Sequence, residues 1–286
     1  MNPVKPVLAG SVALITGGGR GVGRVLALAL ADAGAAVGLI ARSTGQLTES
    51  RQLIEAAGGV VAAASADLSD PDAAAAAVDT LRAELGPVDL LVNNAGICGS
   101  AGPAWDVQEQ EWWRTVEVNL RGVVLCCQLV LPEMVARRTG RIVNVTSKAG
   151  VFRWPLMSAY SVSKAAVVKF TENLGYETAR QGISVFSVDP GLLRIGLSEP
   201  ALARAAPANS AEGMMHTWVR RELAAGRGAE PHQAAELLLR IATGEADRLS
   251  GRHLSVHDDL DMLLARTGEV LGEDLYVLGL HSLPSA

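Results

Sequence analysis

Cysteine is scarce in this chain of 286 residues: there are only three, Cys98, Cys126 and Cys127. Their number is odd and none forms a CxxC pair, which excludes a disulfide framework or a cysteine zinc site and suits a reducing cytoplasm. Aromatic residues make up only 4%, too few for an aromatic-rich β-sandwich. A block of positive charge is also missing. Twenty-five Lys and Arg stand against 30 Asp and Glu, a formal net charge of −5, and this removes the electrostatic footprint that nucleic-acid binding requires. Residues 1–10 lack a charged segment leading into a long apolar one, and no later apolar run approaches the roughly 20 residues of a membrane span. The expectation is a cytoplasmic protein with neither nucleic acid nor membrane as partner. Of the five histidines, His253 and His257 lie four apart in a predicted strand, on one face but well separated, so no metal site is expected.

What the chain does have is apolar residues, 49% against 19% charged, and 30 glycines. That balance favours tight turns and close packing of helices on a sheet. Short apolar strands alternate with helical patterns: strand 11–16, helix 22–33, strand 36–40, helix 46–57, strand 60–64, an Ala-rich helix from Pro71 to Gly86, and strand 89–92. A helix capped by Asp106 and running to about Arg138 follows, then strand 141–146, helix 158–180 and strand 183–188. From 192 to 228 the periodicity weakens, which predicts a partly helical, mobile flap. Helix 231–242 and strand 252–257 follow, and the extension 258–286 shows helical spacing at Leu260, Leu263, Leu264, Val270 and Leu271; it could cover a neighbouring subunit. The fold class is α/β: one doubly wound, Rossmann-type domain over residues 1–286, with about seven parallel strands and helices on both faces.

The turn after the first strand reads Thr16-Gly17-Gly18-Gly19-Arg20-Gly21-Val22-Gly23. Alone it is merely a flexible connection, but here it follows a strand, opens a helix and sits in the first βαβ unit, the position of a dinucleotide pyrophosphate site. At the end of the second strand, NAD would call for an acid and NADP for a cation. The residues there are Ala41-Arg42-Ser43. Arg42 and Arg20 could flank a 2′-phosphate, with Ser43 or Thr44 as hydroxyl donors. NADP(H) is therefore expected over NAD(H), with Asp67 at the adenine edge.

Tyr160 and Lys164 are four residues apart in a predicted helix and share a face, where an ammonium beside a phenol favours the phenolate. Ser147 ends the fifth strand, on the ligand-bearing carboxyl edge of the sheet, placed to hydrogen-bond a carbonyl oxygen above a bound nicotinamide. With these residues, the Asn93-Asn94-Ala95-Gly96 run, Asn119 and Pro190-Gly191, the chain from about Ser11 to His257 resembles the short-chain dehydrogenase/reductase family in its single-domain form.

The resemblance implies that Tyr160 is the proton donor, that Ser147 positions substrate, that Lys164 holds the ribose and lowers the tyrosine pKa, and that Asn119 supports a water relay. Besides Tyr160 and Lys164, the expected cofactor-binding residues are Thr16, Gly17, Gly19, Arg20, Gly21, Val22, Gly23, Arg42, Ser43, Asp67, Leu68, Asn94, Ala95, Gly96, Pro190, Gly191 and Leu193. The chain departs from the family at Ile195, where a threonine usually meets the nicotinamide carboxamide; Arg194 or backbone groups could substitute. Val151, Phe152, Trp154, Pro155, Leu156 and Met157, with Met214, Met215 and Trp218 from the flap, suit a small apolar, cyclic or aromatic ketone or alcohol. The expected activity is ketoreductase or alcohol dehydrogenase. Elimination, cyclisation or double-bond reduction, or a non-catalytic cofactor-binding regulator, are the alternatives. Packing through Cys126 and Cys127's helix, as in the family, suggests a homotetramer, with a homodimer second.

Overall fold

The computed structural model describes residues 6–279. Seven strands form one parallel sheet: β1 (Val12–Thr16), β2 (Ala36–Ala41), β3 (Val61–Ser65), β4 (Leu90–Asn93), β5 (Gly140–Val145), β6 (Ile183–Asp189) and β7 (His253–Ser255), in the order β3-β2-β1-β4-β5-β6-β7. The chain reverses direction across the sheet between β1 and β4, which opens a crevice at their carboxyl ends. The central strands are apolar on both faces because both are covered: every residue of β1 is buried.

One face is packed by α1 (Gly21–Asp32), α2 (Thr44–Ala56) and α9 (Pro231–Ala242), through Leu26, Leu30, Ile54, Leu238 and Ile241. The other is packed by α3 (Pro71–Leu85), α5 (Gly122–Arg137) and α6 (Ser158–Thr178), through Val78, Leu81, Val130, Met134 and Val167. Each fully buried Leu or Ile among them contributes about 1.5–3 kcal/mol. Local signals set the helix ends. Asp70 accepts from the backbone N–H groups of Asp72 and Ala73 ahead of Pro71, and α3 stops at Gly86, whose φ is 97°.

Two expectations about the helix after β4 are corrected. The helix after β4 is not capped by Asp106, which lies in a turn closed on the Pro103 carbonyl. Instead α4 (Glu109–Val116) begins behind Gln108 and passes through a π-helical turn, Glu117–Arg121, into α5. This helical run, Glu109–Arg137, is long and apolar enough to cross a membrane by length and composition; in the fold, α5 lays Val123, Cys126, Cys127 and Met134 into the core beneath the sheet. The weakly periodic segment 192–228 contains two helices, α7 (Glu199–Ala203) and α8 (Ala211–Ala224), joined over a small core of Ala201, Val219 and Leu223. The tail forms α10 (Leu260–Ala265) and α11 (Thr267–Gly272), and Leu260, Leu263 and Val270 are buried in this chain's own core. The end of the expected extension, 280–286, lies outside the described residues, as do residues 1–5 of the N-terminal reading.

Candidate active site

The glycine loop leaves β1 at Thr16 and enters α1 at Gly21. Gly17 and Gly21 have φ of 68° and 54°, the left-handed region that a side chain disfavours. A Cβ on Gly23 would come within 2.3 Å of the Gly17 carbonyl oxygen, and one on Gly17 within 2.8 Å of Asn94 Nδ2. No side chain caps α1 and its first turn has no acid, so the N–H groups around Gly21 and Val22 suit an anion. This geometry fits a dinucleotide pyrophosphate. Thr16 and Asn94 act as braces: the Thr16 hydroxyl accepts from the N–H groups of Asn94 (2.9 Å) and Ala95 (3.0 Å), and Asn94 Nδ2 donates to the Thr16 carbonyl (2.9 Å). Two residues missed in the sequence hold Gly19 from behind. Arg24 Nε and Ser50 Oγ each donate to the Gly19 carbonyl at 3.1 Å.

At the adenosine end, Arg42 is exposed, its carbonyl accepting from Ser65 Oγ at 3.1 Å. The Ser43 hydroxyl caps α2, accepting from the Gln46 N–H at 3.4 Å. Asp67 accepts from the N–H and hydroxyl of Ser69 at 3.0 and 2.7 Å. These bonds, helped by the Arg42 charge, hold its carboxyl below the usual range. Leu68 is buried against Gly122. Arg20 is bound to Glu199 of α7, Nη1 to Oε2 at 3.0 Å.

The polar residues expected to act chemically come from three elements. Ser147 follows β5, its hydroxyl accepting from the Ala149 N–H at 3.2 Å. Tyr160 and Lys164 lie on α6, with Lys164 Nζ 5.8 Å from the tyrosine ring centre. Lys164 is 3% exposed, donates to the Val145 carbonyl at 2.8 Å, and is pushed by burial down to about 8. Asn119 sits fully buried in the π-helical turn. Its amide is clamped: Nδ2 donates to the Ile97 carbonyl (2.9 Å) and Ser163 Oγ (3.0 Å), and Oδ1 accepts from the Ile97 N–H (2.8 Å). Ser163, unnoticed in the sequence, thereby links α6 to the turn. A Cβ on Gly96 would approach Asn119 Oδ1 to 3.1 Å and Lys164 Nζ to 3.6 Å, so the absence of a side chain there admits the lysine.

The expected lowering of the Tyr160 pKa is reversed in this geometry. Burial pushes the phenol up, the Cys98 thiol and the Asp189 carboxylate push the same way, and the Ser147 hydroxyl opposes them. Asp189, also missed, is 5% exposed at the end of β6 and accepts from the Gly191 N–H at 3.1 Å. It closes the Pro190-Gly191 turn, in which Gly191 has a φ of 76° and a Cβ would strike Ala229 at 2.6 Å. Leu193 is buried. Arg194 reaches the Leu223 carbonyl on α8 at 3.4 Å, and Ile195 leads into a 3₁₀ turn, Gly196–Ser198.

Trp154 and Trp218 are brought together, their rings 4.6 Å apart and tilted by 60°. Phe152 is instead largely exposed, beneath Lys148 Nζ at 5.1 Å. A cavity of about 540 Å³ opens between the loop around Ser100–Val107, Leu156, and Ser210 to Met214 of the flap. Leu156 has a φ of 69°, an uncommon state for a side chain of its size, and its carbonyl accepts from the Gly102 N–H at 2.8 Å.

Residues 11–204 match the family model described as short chain dehydrogenase. The chain is 35% identical to a short chain dehydrogenase of Pseudocercospora fijiensis, covering 96% of this chain and 91% of that protein. Among solved structures it resembles a variant actinorhodin polyketide ketoreductase with NADPH (TM-score 0.79, 30% identity, 86% of this chain and 95% of that one). It also resembles levodione reductase (TM-score 0.79, 28% identity, 87% and 96%). With the parallel sheet, the glycine loop and the Ser-Tyr-Lys set in place, the chain belongs to the short-chain dehydrogenase/reductase family of oxidoreductases.

Proposed function

We propose that this protein interconverts a ketone and a secondary alcohol with NADP(H), on a small, largely apolar, cyclic or aromatic substrate. The observation that carries the reading is the placement of Ser147, Tyr160 and Lys164 together at the carboxyl edge of the sheet, beside an uncapped helix N-terminus that suits a pyrophosphate. When bound, the nicotinamide supplies or accepts the hydride. Tyr160 holds the proton at its phenol oxygen and gives it to the carbonyl oxygen during reduction. Ser147 orients that oxygen by hydrogen bonding. Lys164 holds the ribose and keeps positive charge near the phenol. Asn119, whose amide is held by Ile97 and Ser163, keeps the π-helical turn in place and supports a water relay.

NADP(H) is favoured by Arg42 at the end of β2, where no acid stands to meet a ribose hydroxyl, and a structural neighbour is described with NADPH. The paired Trp154 and Trp218 rings support an apolar ring as substrate.

The test is the loss of NADPH absorbance with a panel of cyclic and aromatic ketones. Tyr160→Phe should abolish turnover while cofactor still binds, and equal activity in that variant would refute its role. Arg42→Asp should move the NADPH to NADH affinity ratio toward NADH; an unchanged ratio would remove Arg42 from cofactor choice.

A further inference from the structure

A single carboxylate joins the flap to the phosphate loop. Glu199 opens α7, and its two oxygens have separate partners: Oε1 accepts from the Gly196 backbone N–H at 2.9 Å, and Oε2 from Arg20 Nη1 at 3.0 Å. Gly196 itself lies on the start of α1, since a Cβ on Gly21 would come within 2.7 Å of the Gly196 Cα. The flap therefore rests on the anion-binding end of α1 and is tied there by an ion pair. Both side chains are about half exposed, 49% for Arg20 and 46% for Glu199. An ion pair so open to water is weak and readily exchanged for a better partner.

A 2′-phosphate is a better partner. It carries up to two charges and several acceptor oxygens matched to a guanidinium fork, whereas NAD offers only a hydroxyl at the same place. We propose that Glu199 is a specificity-determining residue that competes with the cofactor's 2′-phosphate for Arg20 and so makes the flap sense which dinucleotide is bound. With NAD(H), Arg20 stays on Glu199 and α7 stays tied to the glycine loop. With NADP(H), Arg20 passes to the phosphate, and Glu199 retains only the Gly196 N–H. This proposal rests on the reading that Arg20 and Arg42 together face the 2′-phosphate.

The experiment is a double-mutant cycle of Arg20→Gln and Glu199→Gln, read as dissociation constants for NADPH and NADH from the fluorescence of the bound nicotinamide. Glutamine at 199 keeps an oxygen for the Gly196 N–H and removes the competing charge. Glu199→Gln is expected to tighten NADPH by about threefold to tenfold and to leave NADH within about twofold. Arg20→Gln should weaken NADPH selectively, and Glu199→Gln should have no further effect on that variant. Hydrogen exchange of the α7 amides should be faster with saturating NADPH than with NADH in the wild type, and equal in Glu199→Gln. Equal shifts for both cofactors, additive effects in the cycle, or α7 exchange that ignores the cofactor would overturn the proposal. A wild type that binds NADH more tightly than NADPH would count against the cofactor preference; the response to Glu199→Gln is read separately, as a change in the ratio.

Discussion

Arg24 and Ser50 close on the same atom. Arg24 Nε donates to Ser50 Oγ at 2.9 Å, and both side chains donate to the Gly19 carbonyl at 3.1 Å. Arg24 lies one turn into α1 and Ser50 is fully buried on α2, so the pair pins the phosphate loop to the helix that starts beside Arg42. Ser50→Ala is expected to cost about 1 kcal/mol of stability and Arg24→Met about 2 kcal/mol, because the arginine bonds carry charge. Cofactor affinity should weaken in both variants while turnover at saturating cofactor is kept. Thermal melts with cofactor titrations check this, and an unchanged affinity in Arg24→Met would detach the pair from cofactor binding.

Asn119→Ala would leave the partly buried Ile97 N–H and carbonyl without their partner and take one bond from the buried Ser163 hydroxyl, which keeps the Tyr160 carbonyl as its acceptor. With about 1–3 kcal/mol for each buried group left unsatisfied, and some relaxation, the expected loss is roughly 3 kcal/mol, or about 6–12 °C in Tm for a chain of this size. Calorimetry measures it directly. A loss below about 1 kcal/mol would mean that the clamp is not closed in solution.

Burial holds the Lys164 ammonium down to about 8, against about 10.4 for a free lysine. Between those values the unfolded chain binds more protons than the folded one, so this group makes stability rise with pH. The cost of burying its charge is full below about pH 8 and fades toward 10.4. Lys164→Met removes that cost, so its stability advantage over the wild type should shrink by roughly 2–3 kcal/mol between those two pH values. Urea titrations at pH 7 to 10.5 test the sign; a constant difference would place the ammonium in contact with water.

The raised Tyr160 phenol sets opposite pH dependences for the two directions of the proposed reaction. Reduction uses the protonated phenol and should hold steady from pH 6 to about 7.5, whereas oxidation uses the phenolate and should rise about tenfold per pH unit over the same range. Steady-state kcat/KM in each direction checks this, and oxidation flat across that range would show a phenol acidified on cofactor binding.

Much of this architecture is legible along the chain because its determinants are local. β1 shows itself as an apolar run closed by Thr16 and the glycine loop, and α3 is bracketed by Asp70-Pro71 and Gly86. Asp106 misled because it is an excellent helix cap, but the turn made with Pro103 uses it first and Gln108 opens the helix. The flap helices escaped periodicity because their shared core is small, built on Ala201, Val219 and Leu223. Site residues fixed by a helical repeat, such as Tyr160 and Lys164, could be read. Arg20 with Glu199 could not, since 179 positions separate them. The direction of the tyrosine shift was equally hidden: it depends first on burial of the phenol and then on Cys98 and Asp189, which only the folded chain brings about.

The placing of β1 between β2 and β4 bears on how the chain is made. Of these seven strands the one made first, β1, is an inner one, and its second hydrogen-bonding edge stays open until Leu90–Val92 are synthesised to pair with Ala13–Ile15. For the time taken to add those residues, the nascent chain presents an apolar, unpaired strand edge, the kind of surface that chaperones shield and on which aggregation begins.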